Sequence, residues 1–399
     1  MTLAHGRHYL AIPGQSVMPD RVLQAMHRPA PNIYEGELVD MVAGLVPDLK
    51  TIAGTRHHVA MYIANGHGAW EAALTNTLCR GDKILILATG RFGLMWGKMA
   101  QAMGIDTDVL DFGPRSDIDM ARVAHTLAND TAHMIKAVLA VQVDTSTSVK
   151  NDIQALRGTL DAVGHPALLM SDNIACLACD EFHMDAWGVD VMVSGSQKGL
   201  MTPPGMAFVF FNDKADAARG GANLITPYWD WRPRAAPDEF YRYFDGTAPT
   251  HHLYGLRVAL DMILKEEGLN PVLQRHKVLA QAIWAAIEVW GNTGPIRPNI
   301  TARTKRSHAV TTVNFGNGNG KRMRDWMTLQ AGVTLGVPLG GIEDTGNDMA
   351  DFLRIGHMGH VNTHMVLGVL ASLQAGLNAL NIPHDPRGVE AAANVIAAG

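Results

Sequence analysis

Cysteine is scarce in this sequence, with only Cys79, Cys176 and Cys179 among 399 residues. A count this low excludes the disulfide framework that stabilises many small secreted proteins. Cys176 and Cys179 form a C-x-x-C pair, a pattern that can bind zinc or act in redox chemistry. A zinc site needs further ligands at suitable spacing, and the sequence contains no second C-x-x-C pair. We therefore interpret both residues as small buried apolar side chains.

An excess of basic charge is also missing, because 33 lysines and arginines face 38 aspartates and glutamates, for a net charge of −5. Without a long basic stripe, nucleic acid is not an expected partner. No uninterrupted apolar stretch is long enough to cross a bilayer, and residues 1–10 show no signal-peptide pattern. We therefore expect a soluble, cytoplasmic protein that does not enter a membrane.

The composition that remains is typical of a globular protein, with 47% hydrophobic and 18% charged residues. A chain of 399 residues is too long for one ordinary core, so it predicts two domains. We predict an N-terminal segment over residues 1–20, a large domain over 21–265 and a small C-terminal α/β domain over 266–399. Two long helical patterns, at residues 253–267 and 272–290, lie on either side of the boundary between the two domains.

Short apolar runs alternate with longer amphipathic stretches in the large domain. Continuous apolar strands separated by helices indicate an α/β fold whose sheet is mostly parallel and covered on both faces. Such sheets bind ligands beyond the carboxyl ends of their strands, so functional residues are expected directly after these runs. The runs are residues 59–63, 84–87, 138–143, 167–170, 189–193 and 206–211.

Polar features follow three of these runs. Residues 65–71 (NGHGAWE) open a helix after the first run, and their glycines and free N–H groups predict a phosphate site. Asp172 follows the run that ends at residue 170, where an acid can be either a helix cap or a functional group. Lys198 follows the run at residues 189–193 among small residues, where burial would lower its pKa and make the amine a nucleophile.

A fourth feature lies in the C-terminal domain, where Arg354 interrupts an apolar, strand-like segment. A half-buried arginine usually has an anionic partner, either a carboxylate of the protein or a ligand. Together the four features describe one chemistry. Lys198 forms an imine with a carbonyl cofactor, Asp172 protonates the cofactor ring nitrogen, the helix end binds its phosphate, and Arg354 binds a substrate carboxylate.

Residues 65–71, the strand ending at Asp172, the segment 194–205 (SGSQKGLMTPPG) and the segment 354–359 (RIGHMG) resemble the class V aminotransferases. The resemblance covers nearly the whole chain and is greatest to the serine–glyoxylate and alanine–glyoxylate aminotransferases. It implies a fold type I transferase with a mostly parallel seven-stranded sheet and pyridoxal 5'-phosphate as cofactor. It also implies a homodimer with shared active sites.

The resemblance assigns a role to each matching position. Lys198 and Asp172 match the catalytic pair, in which the lysine holds the cofactor and shuttles the α-proton while the aspartate partners the ring nitrogen. Arg354 matches the clamp for the substrate α-carboxylate. The other cofactor contacts that the resemblance implies are Gly66, His67 and Gln197 at the phosphate, Phe92 stacked on the ring, Thr145 through its hydroxyl group, and Thr247 at the phosphate of the neighbouring subunit. No metal site is implied.

Five residues depart from the usual pattern of this group. Asn65 replaces a small hydroxyl residue or glycine, and Phe244 replaces a tyrosine that bonds the phosphate across the dimer in some members. Asp144 replaces a glutamate or similar residue, Ser148 replaces a glycine, and Asn173 replaces a small or hydroxyl residue. None of these removes the core chemistry, but several are expected close to the substrate.

The predicted activity is ping-pong transfer of an amino group from a small L-amino acid to glyoxylate or pyruvate. Serine, alanine and aspartate all fit one arginine clamp, and a second cation such as Arg56, Arg303 or Arg306 would select a dicarboxylate. The alternatives are another class V enzyme, a dinucleotide-binding protein and a non-catalytic binding protein. A cysteine desulfurase needs a thiol well after the lysine, and no cysteine follows Cys179.

Two further patterns are interpreted as structural. The glycine-rich segment 316–320 (GNGNG) resembles a phosphate loop but is more typical of a surface turn. Adjacent histidines at 57–58 and 251–252 project to opposite faces of a strand, which argues against a metal site. His357 and His360 are likewise interpreted as structural, and His357 has the best claim of these histidines to a role beside the substrate because it closely follows Arg354.

Overall fold

The computed structural model describes residues 2–340 and 349–399. Met1, in the predicted N-terminal segment, and residues 341–348, in the predicted C-terminal domain, lie outside the described residues. The strands in chain order are β1 (Tyr9–Ala11), β2 (His58–Tyr62), β3 (Lys83–Ala88), β4 (Asp106–Asp111), β5 (Ile135–Val141), β6 (Val143–Asp144), β7 (Val149–Lys150), β8 (Leu168–Asp172), β9 (Val191–Gly195), β10 (Ala207–Phe211), β11 (Arg297–Pro298), β12 (Val310–Asn314), β13 (Val333–Leu335) and β14 (Phe352–Gly356).

Helices alternate with these strands through most of the chain. The α-helices are α1 (Asp20–Met26), α2 (Glu37–Ala53), α3 (Gly66–Thr77), α4 (Arg91–Ala102), α5 (Met120–Asn129), α6 (Ile153–Ala162), α7 (Asp213–Arg219), α8 (Trp231–Ala235), α9 (Thr250–Asp261), α10 (Leu269–Trp290), α11 (Asn319–Trp326), α12 (Thr363–Ala379) and α13 (Gly388–Ala398). Within the described residues, no helix combines the length and the apolar character needed to span a membrane.

Seven strands form the main sheet, in the order β2-β10-β9-β8-β5-β3-β4. All neighbouring pairs from β9 to β4 are parallel, whereas β10 runs antiparallel to both β9 and β2. This confirms the predicted α/β fold with a mostly parallel, seven-stranded sheet. The apolar runs predicted six of these strands. The seventh, β4 (DTDVLD), lies at the sheet edge and is largely exposed, so it lacks the apolar pattern that would have revealed it.

The sheet is covered on both faces, which explains why its strands are continuously apolar. In β9, the side chains of Val191 and Val193 join one hydrophobic cluster with α3 and α4, whereas Met192 joins the cluster on the opposite face with α2 and α9. The alternation follows from the two-residue period of a strand. Because both faces are filled by helices, only the strand ends are open to a ligand.

A second hydrophobic cluster forms around the smaller antiparallel sheet β11-β12-β14, with α10, α12 and α13. Strand β1 pairs with β13 in parallel, so the N-terminal segment extends the C-terminal part of the molecule. The division into two domains and the boundary near residue 265 remain predictions. Strand β14, which carries Arg354, pairs with β12, the central strand of this smaller sheet.

Candidate active site

A cavity of about 390 Å³ opens at the carboxyl ends of the central strands of the main sheet. Val141 ends β5, Asp172 ends β8, and Lys198 follows β9 by three residues. The cavity therefore lies where the strand pattern predicts a site. It is lined by Gly14, Gln15, Asn65, Gly66, His67, Trp70, Phe92, Val141, Val143, Thr145, Asp172, Ile174, Ala175, Gln197, Lys198 and Pro204.

Lys198 is held in a tight turn and is 9% exposed. Ser16 donates its hydroxyl to the Lys198 carbonyl at 2.7 Å, and the Lys198 amine donates to the carbonyl of Pro13. Burial, together with the nearby positive charge of Arg354, lowers the pKa of Lys198 to about 8, while Asp172 opposes the shift. A substantial fraction of the amine is therefore neutral near physiological pH, which is the form that acts as a nucleophile.

Asp172 lies at the end of β8 and is 3% exposed. One carboxylate oxygen accepts a hydrogen bond from the Ile174 N–H at 2.7 Å, and the other accepts from the indole of Trp70 at 2.8 Å. Burial raises the pKa of Asp172 to about 7, against the effect of these hydrogen bonds and of Lys198. Such a carboxylate is stabilised by a cation that reaches it, such as a protonated ring nitrogen.

The first turn of α3 forms one end of the cavity. The Asn65 side-chain oxygen caps the helix, accepting hydrogen bonds from the N–H groups of His67 at 3.1 Å and Gly68 at 3.4 Å. This arrangement leaves the Asn65 NH2 group as a further donor. Gly66 approaches Ile174 so closely that an added Cβ would lie 2.4 Å from its Cδ1 atom. A larger residue at this position would therefore require the Ile174 side chain to shift.

Two buried polar atoms at this end have no hydrogen-bond partner, His67 Nε2 and Gln197 Oε1. Buried polar groups are nearly always paired in folded proteins, so orphaned atoms that line a cavity indicate a missing ligand. Rotating the Gln197 carboxamide by 180° exchanges the positions of its oxygen and its NH2 group, so that the NH2 group faces the cavity as a donor. With the helix N-terminus and Asn65, these groups offer the donors and the positive dipole end that a phosphate requires.

Phe92 and Thr145 complete the ring-binding part of the cavity. Phe92 is the second residue of α4, and its ring meets that of Trp70 edge-on with centroids 6.3 Å apart. Trp70 in turn stacks on Trp96 at 5.8 Å, so Phe92 is supported by a group of packed aromatic rings. Thr145 lies on the cavity wall directly after β6 and is 4% exposed.

Arg354 reaches the cavity wall from β14 without itself lining the cavity. Its Nε donates to the Val337 carbonyl at 2.7 Å, and its Nη1 donates to the Thr145 carbonyl at 2.8 Å. Burial lowers the pKa of Arg354 to about 10, partly offset by Asp144, so the guanidinium stays charged at neutral pH. Two of its nitrogens are thus oriented by backbone oxygens behind Thr145, and an arginine has five N–H groups to donate.

Thr247 is the one predicted site residue that the single chain does not bring near the others. It is exposed in the turn before α9 and does not line the cavity. Phe244, three residues earlier, is 1% exposed and packs in the core beside the main sheet. The contact implied for Thr247 comes from a neighbouring subunit, so its position within one chain leaves that role as a prediction.

The donor set of the cavity fits pyridoxal phosphate. A buried amine is available for the aldehyde, a carboxylate of raised pKa for the ring nitrogen, an aromatic side chain for the ring face, and unpartnered polar atoms at a helix N-terminus for the phosphate. The cavity volume of about 390 Å³ lies within the usual range for small-molecule sites.

Sequence reasoning missed three contributors to the site. Trp70 hydrogen-bonds Asp172, while Pro13 and Ser16 hold the amine and the carbonyl of Lys198. The indole N–H needs a partner when it is buried, which was a usable signal for Trp70. Pro13 and Ser16 act over more than 180 residues of sequence, and no local pattern reveals such a contact.

Several candidate residues lie outside the cavity. His357 is buried, with its ring nitrogens 2.9 Å from the Thr311 hydroxyl and 3.0 Å from the His308 carbonyl, and it does not line the cavity. Residues 57 and 58 pair with Asp213. In segment 316–320, the N–H groups of Gly316 and Gly318 are taken by Asn314 and Asp351, which confirms a structural turn.

The candidate second cations are also held elsewhere. Arg56 contacts Asp185, whereas Arg303 and Arg306 both pair with Glu288. None of the three lines the cavity. The thiols of residues 176 and 179 are fully buried, as predicted.

Two of the departures from the family pattern have a local structural explanation. Ser148 adopts φ +62°, a left-handed conformation that explains the usual glycine and that costs a serine about 1 kcal/mol. Its hydroxyl accepts from the Thr312 N–H at 3.1 Å, which offsets part of that cost. Asn173 is buried beside the cavity, where it accepts from the Ser171 hydroxyl at 2.6 Å and donates to Gln142.

A mostly parallel seven-stranded sheet with a buried lysine and aspartate at its strand ends defines the class of fold type I transferases. The sequence matches the family described as aminotransferase class-V over residues 50–356. The chain therefore belongs to the class V aminotransferases, a family of pyridoxal-phosphate-dependent enzymes. This confirms the resemblance read from the motifs and excludes the dinucleotide-binding and non-catalytic alternatives.

Individual relatives are similar over most of their length. A serine–glyoxylate aminotransferase of Arabidopsis thaliana is 34% identical over 95% of this chain and 92% of its own. An L-aspartate–glyoxylate aminotransferase of Paracoccus denitrificans is 33% identical over 93% and 91%. The crystal structure of a ureidoglycine–glyoxylate aminotransferase from Bacillus subtilis has a TM-score of 0.87 at 24% identity and covers 99% of both chains.

Proposed function

We propose that this aminotransferase moves an amino group from a small L-amino acid to glyoxylate or pyruvate by a ping-pong mechanism, with pyridoxal phosphate bound in the cavity. The observation that carries the proposal is the buried Lys198 amine, which shares one cavity with Asp172. The relatives named as serine–glyoxylate and aspartate–glyoxylate aminotransferases support the choice of donor and acceptor.

Each residue has a defined task in this mechanism. Bound pyridoxal phosphate supplies a protonated ring that withdraws electrons from the substrate Cα. Asp172 holds the proton on the ring nitrogen, since burial alone would leave its carboxylate without a cation. Arg354 binds the α-carboxylate and orients the substrate. Lys198 removes the proton from Cα, because its lowered pKa makes the amine a base near neutral pH.

The cavity favours a donor with an uncharged side chain, such as serine or alanine, over aspartate. Lys198 is the only lysine or arginine among the described residues that line it. A second carboxylate would need its own cation to offset desolvation. The polar side chain of Gln15, which lines the cavity, suits the hydroxyl of serine.

We further propose that the protein works as a homodimer in which Thr247 reaches the phosphate of the neighbouring subunit. The exposure of Thr247 in the single chain supports this proposal, because a threonine at an interface is open to solvent until the partner binds. Sedimentation of the cofactor-loaded protein measures the state directly, and a monomer would contradict the proposal.

The test is the visible absorption of the purified protein with added pyridoxal phosphate, followed by titration with L-serine, L-alanine and L-aspartate. We expect a yellow band that one amino acid bleaches and glyoxylate restores. The Lys198→Ala variant should lose the band and the activity together. Lys136→Ala is a matched control, since this lysine is exposed and donates only to the His133 carbonyl.

Other results would contradict the proposal. A protein that stays colourless, or a band that persists unchanged in Lys198→Ala, would show that the cofactor is not held by this lysine. A band that forms normally but responds to no small amino acid would leave the cofactor site in place and reject the proposed donors.

A further inference from the structure

Asp144 lies behind the cavity and makes four hydrogen bonds although it is fully buried. One oxygen accepts from the N–H groups of Phe92 at 2.8 Å and Gly93 at 3.4 Å. The other accepts from the N–H of Ser146 at 2.9 Å and from its hydroxyl at 2.5 Å. Asp144 does not line the cavity, so the proposed mechanism leaves it without a task.

The first pair of hydrogen bonds fixes the start of α4, which carries Phe92. The opening N–H groups of a helix lack partners within the helix, and here Asp144 supplies an acceptor from a different part of the chain. Ser146 adds a third hydrogen bond to the start of α4, in which its hydroxyl oxygen accepts from the Arg91 N–H at 3.0 Å. The backbone of Phe92 is thereby tied to residues 144–146 rather than to its own loop.

Thr145, which lies between Asp144 and Ser146, also holds Arg354. The carbonyl of Thr145, the residue next to Asp144, accepts from the guanidinium of Arg354 at 2.8 Å. The negative charge of Asp144 opposes the burial effect that lowers the pKa of Arg354. Burial raises the pKa of Asp144 itself, and its four hydrogen bonds counter that rise by favouring the ionised form.

We propose that Asp144 is a positioning residue that sets the ring of Phe92 and the guanidinium of Arg354 in the geometry the reaction needs. The ring covers the cofactor and the guanidinium binds the substrate carboxylate, so this inference rests on the proposed function. One buried carboxylate thus couples a group on the large sheet to a group on the small sheet. Such supporting interactions decide whether a site is correctly spaced.

Gly90 shows how closely this carboxylate is packed. An added Cβ on Gly90 would lie 2.5 Å from Asp144 Cγ and 2.7 Å from Ser146 Oγ, well inside normal contact. The φ angle of Gly90 is 170°, which any residue adopts, so alanine at this position would disturb the packing and not the backbone. Gly90→Ala therefore displaces Asp144 without removing its charge.

The main test is Asp144→Asn, which keeps the size of the side chain but removes the charge and turns one acceptor into a donor facing N–H groups. We expect the KM for the amino donor to rise about tenfold or more, with a smaller change in kcat, because hydrogen bonds involving charged groups contribute most. We also expect the visible circular dichroism of the bound cofactor to change, since Phe92 no longer fixes the ring. Asp144→Glu, which restores the charge, should recover the parent signal and most of the affinity.

Asp119→Asn is the matched control. Asp119 caps α5 by accepting from the N–H groups of Ala121 and Arg122, but it is exposed and does not line the cavity. It should leave KM and the circular dichroism unchanged. If Asp144→Asn behaves like Asp119→Asn in both measurements, the inference is overturned.

Two additions keep the test decisive. If Asp144→Asn does not fold, Gly90→Ala should produce the same rise in KM and the same spectral change, and a neutral Gly90→Ala would overturn the inference. Lactate is a carboxylate that cannot transaminate, so titration with lactate measures carboxylate binding by Arg354 without turnover. A parent that binds cofactor and lactate but transaminates no donor would contradict the proposed function alone.

Discussion

Two regions of the molecule meet at the cavity, and they are prepared for their ligands in different ways. At the strand ends of the main sheet, His67 Nε2 and Gln197 Oε1 are buried without partners, and burial raises the pKa of Asp172 to about 7 although Lys198 opposes the shift. On the smaller sheet, Arg354 is already bonded to two backbone carbonyls. The first region is incomplete without a ligand, whereas the second is complete in the protein alone.

The difference matches what we propose that each region binds, a cofactor in the first and a substrate in the second. A cofactor that stays in place can supply the missing hydrogen bonds permanently, so unpartnered groups around it carry no lasting cost. A substrate that leaves in every cycle cannot do so, and its clamp must be oriented by the protein. The backbone oxygens of Val337 and Thr145 orient Arg354 without neutralising it. We expect substitutions in the two regions to separate cofactor binding from substrate binding.

The largest effect is expected for Arg354→Ala. Losing a bidentate contact to a carboxylate should lower kcat/KM for the amino donor by at least about 100-fold, or about 3 kcal/mol. The visible band of the bound cofactor should persist, because Arg354 does not line the cavity. Arg303→Ala, which removes an exposed partner of Glu288, is the control. If the amino-acid kinetics of Arg354→Ala are unchanged, Arg354 does not bind the substrate carboxylate and the proposed contrast between the two regions is wrong.

A smaller effect is expected for Asp172→Asn in the cofactor-free protein. The pKa of Asp172 is raised from 3.8 to about 7, so between these pH values the folded state holds a proton that the unfolded state releases. Stability from this group is therefore present below pH 4 and is lost as the pH rises through 7.

Asp172→Asn removes this pH dependence, although its NH2 group must face the N–H of Ile174 or of Trp70. We expect a net stabilisation of about 1–2 kcal/mol at pH 8 and none at pH 4, measured by urea unfolding. With the cofactor bound, the parent should instead be more stable than Asp172→Asn, since the cofactor ring nitrogen supplies a cation for the Asp172 carboxylate. If Asp172→Asn is no more stable than the parent at pH 8, burial of the ionised Asp172 carboxylate does not destabilise the folded protein.

The smallest effect is expected at Asn65, which serves both the helix and the cofactor side. Asn65→Ser should keep the helix cap and change the cofactor dissociation constant by no more than about threefold, because serine is an equally good cap. Asn65→Ala should lose about 1 kcal/mol of stability and bind the cofactor several-fold more weakly. Equal affinity in both variants, measured by fluorescence titration, would show that Asn65 acts only as a cap.

Sequence reasoning succeeded where chemistry and local pattern coincide. Buried strands of a parallel sheet are continuously apolar, so their ends were visible, and Asp172 and Lys198 stood out because polar residues rarely follow such runs without a reason. The same logic failed for the exposed edge strand β4, which has no apolar pattern. Proximity to Arg354 along the chain also did not reveal that His357 is buried outside the cavity.

The sequence by itself determined the class of fold and the family, and it predicted the lysine, the aspartate and the arginine of the site. These follow from local signals, namely strand periodicity, glycine and proline positions, and the residue type that each reaction step requires. Only the tertiary structure decided that Pro13 and Ser16 hold Lys198, that Trp70 bonds Asp172, and that Asp144 bonds the backbone of Phe92 while the neighbouring Thr145 bonds Arg354. These contacts join residues far apart in the chain, and their energies depend on burial and distance, which exist only once the chain has folded.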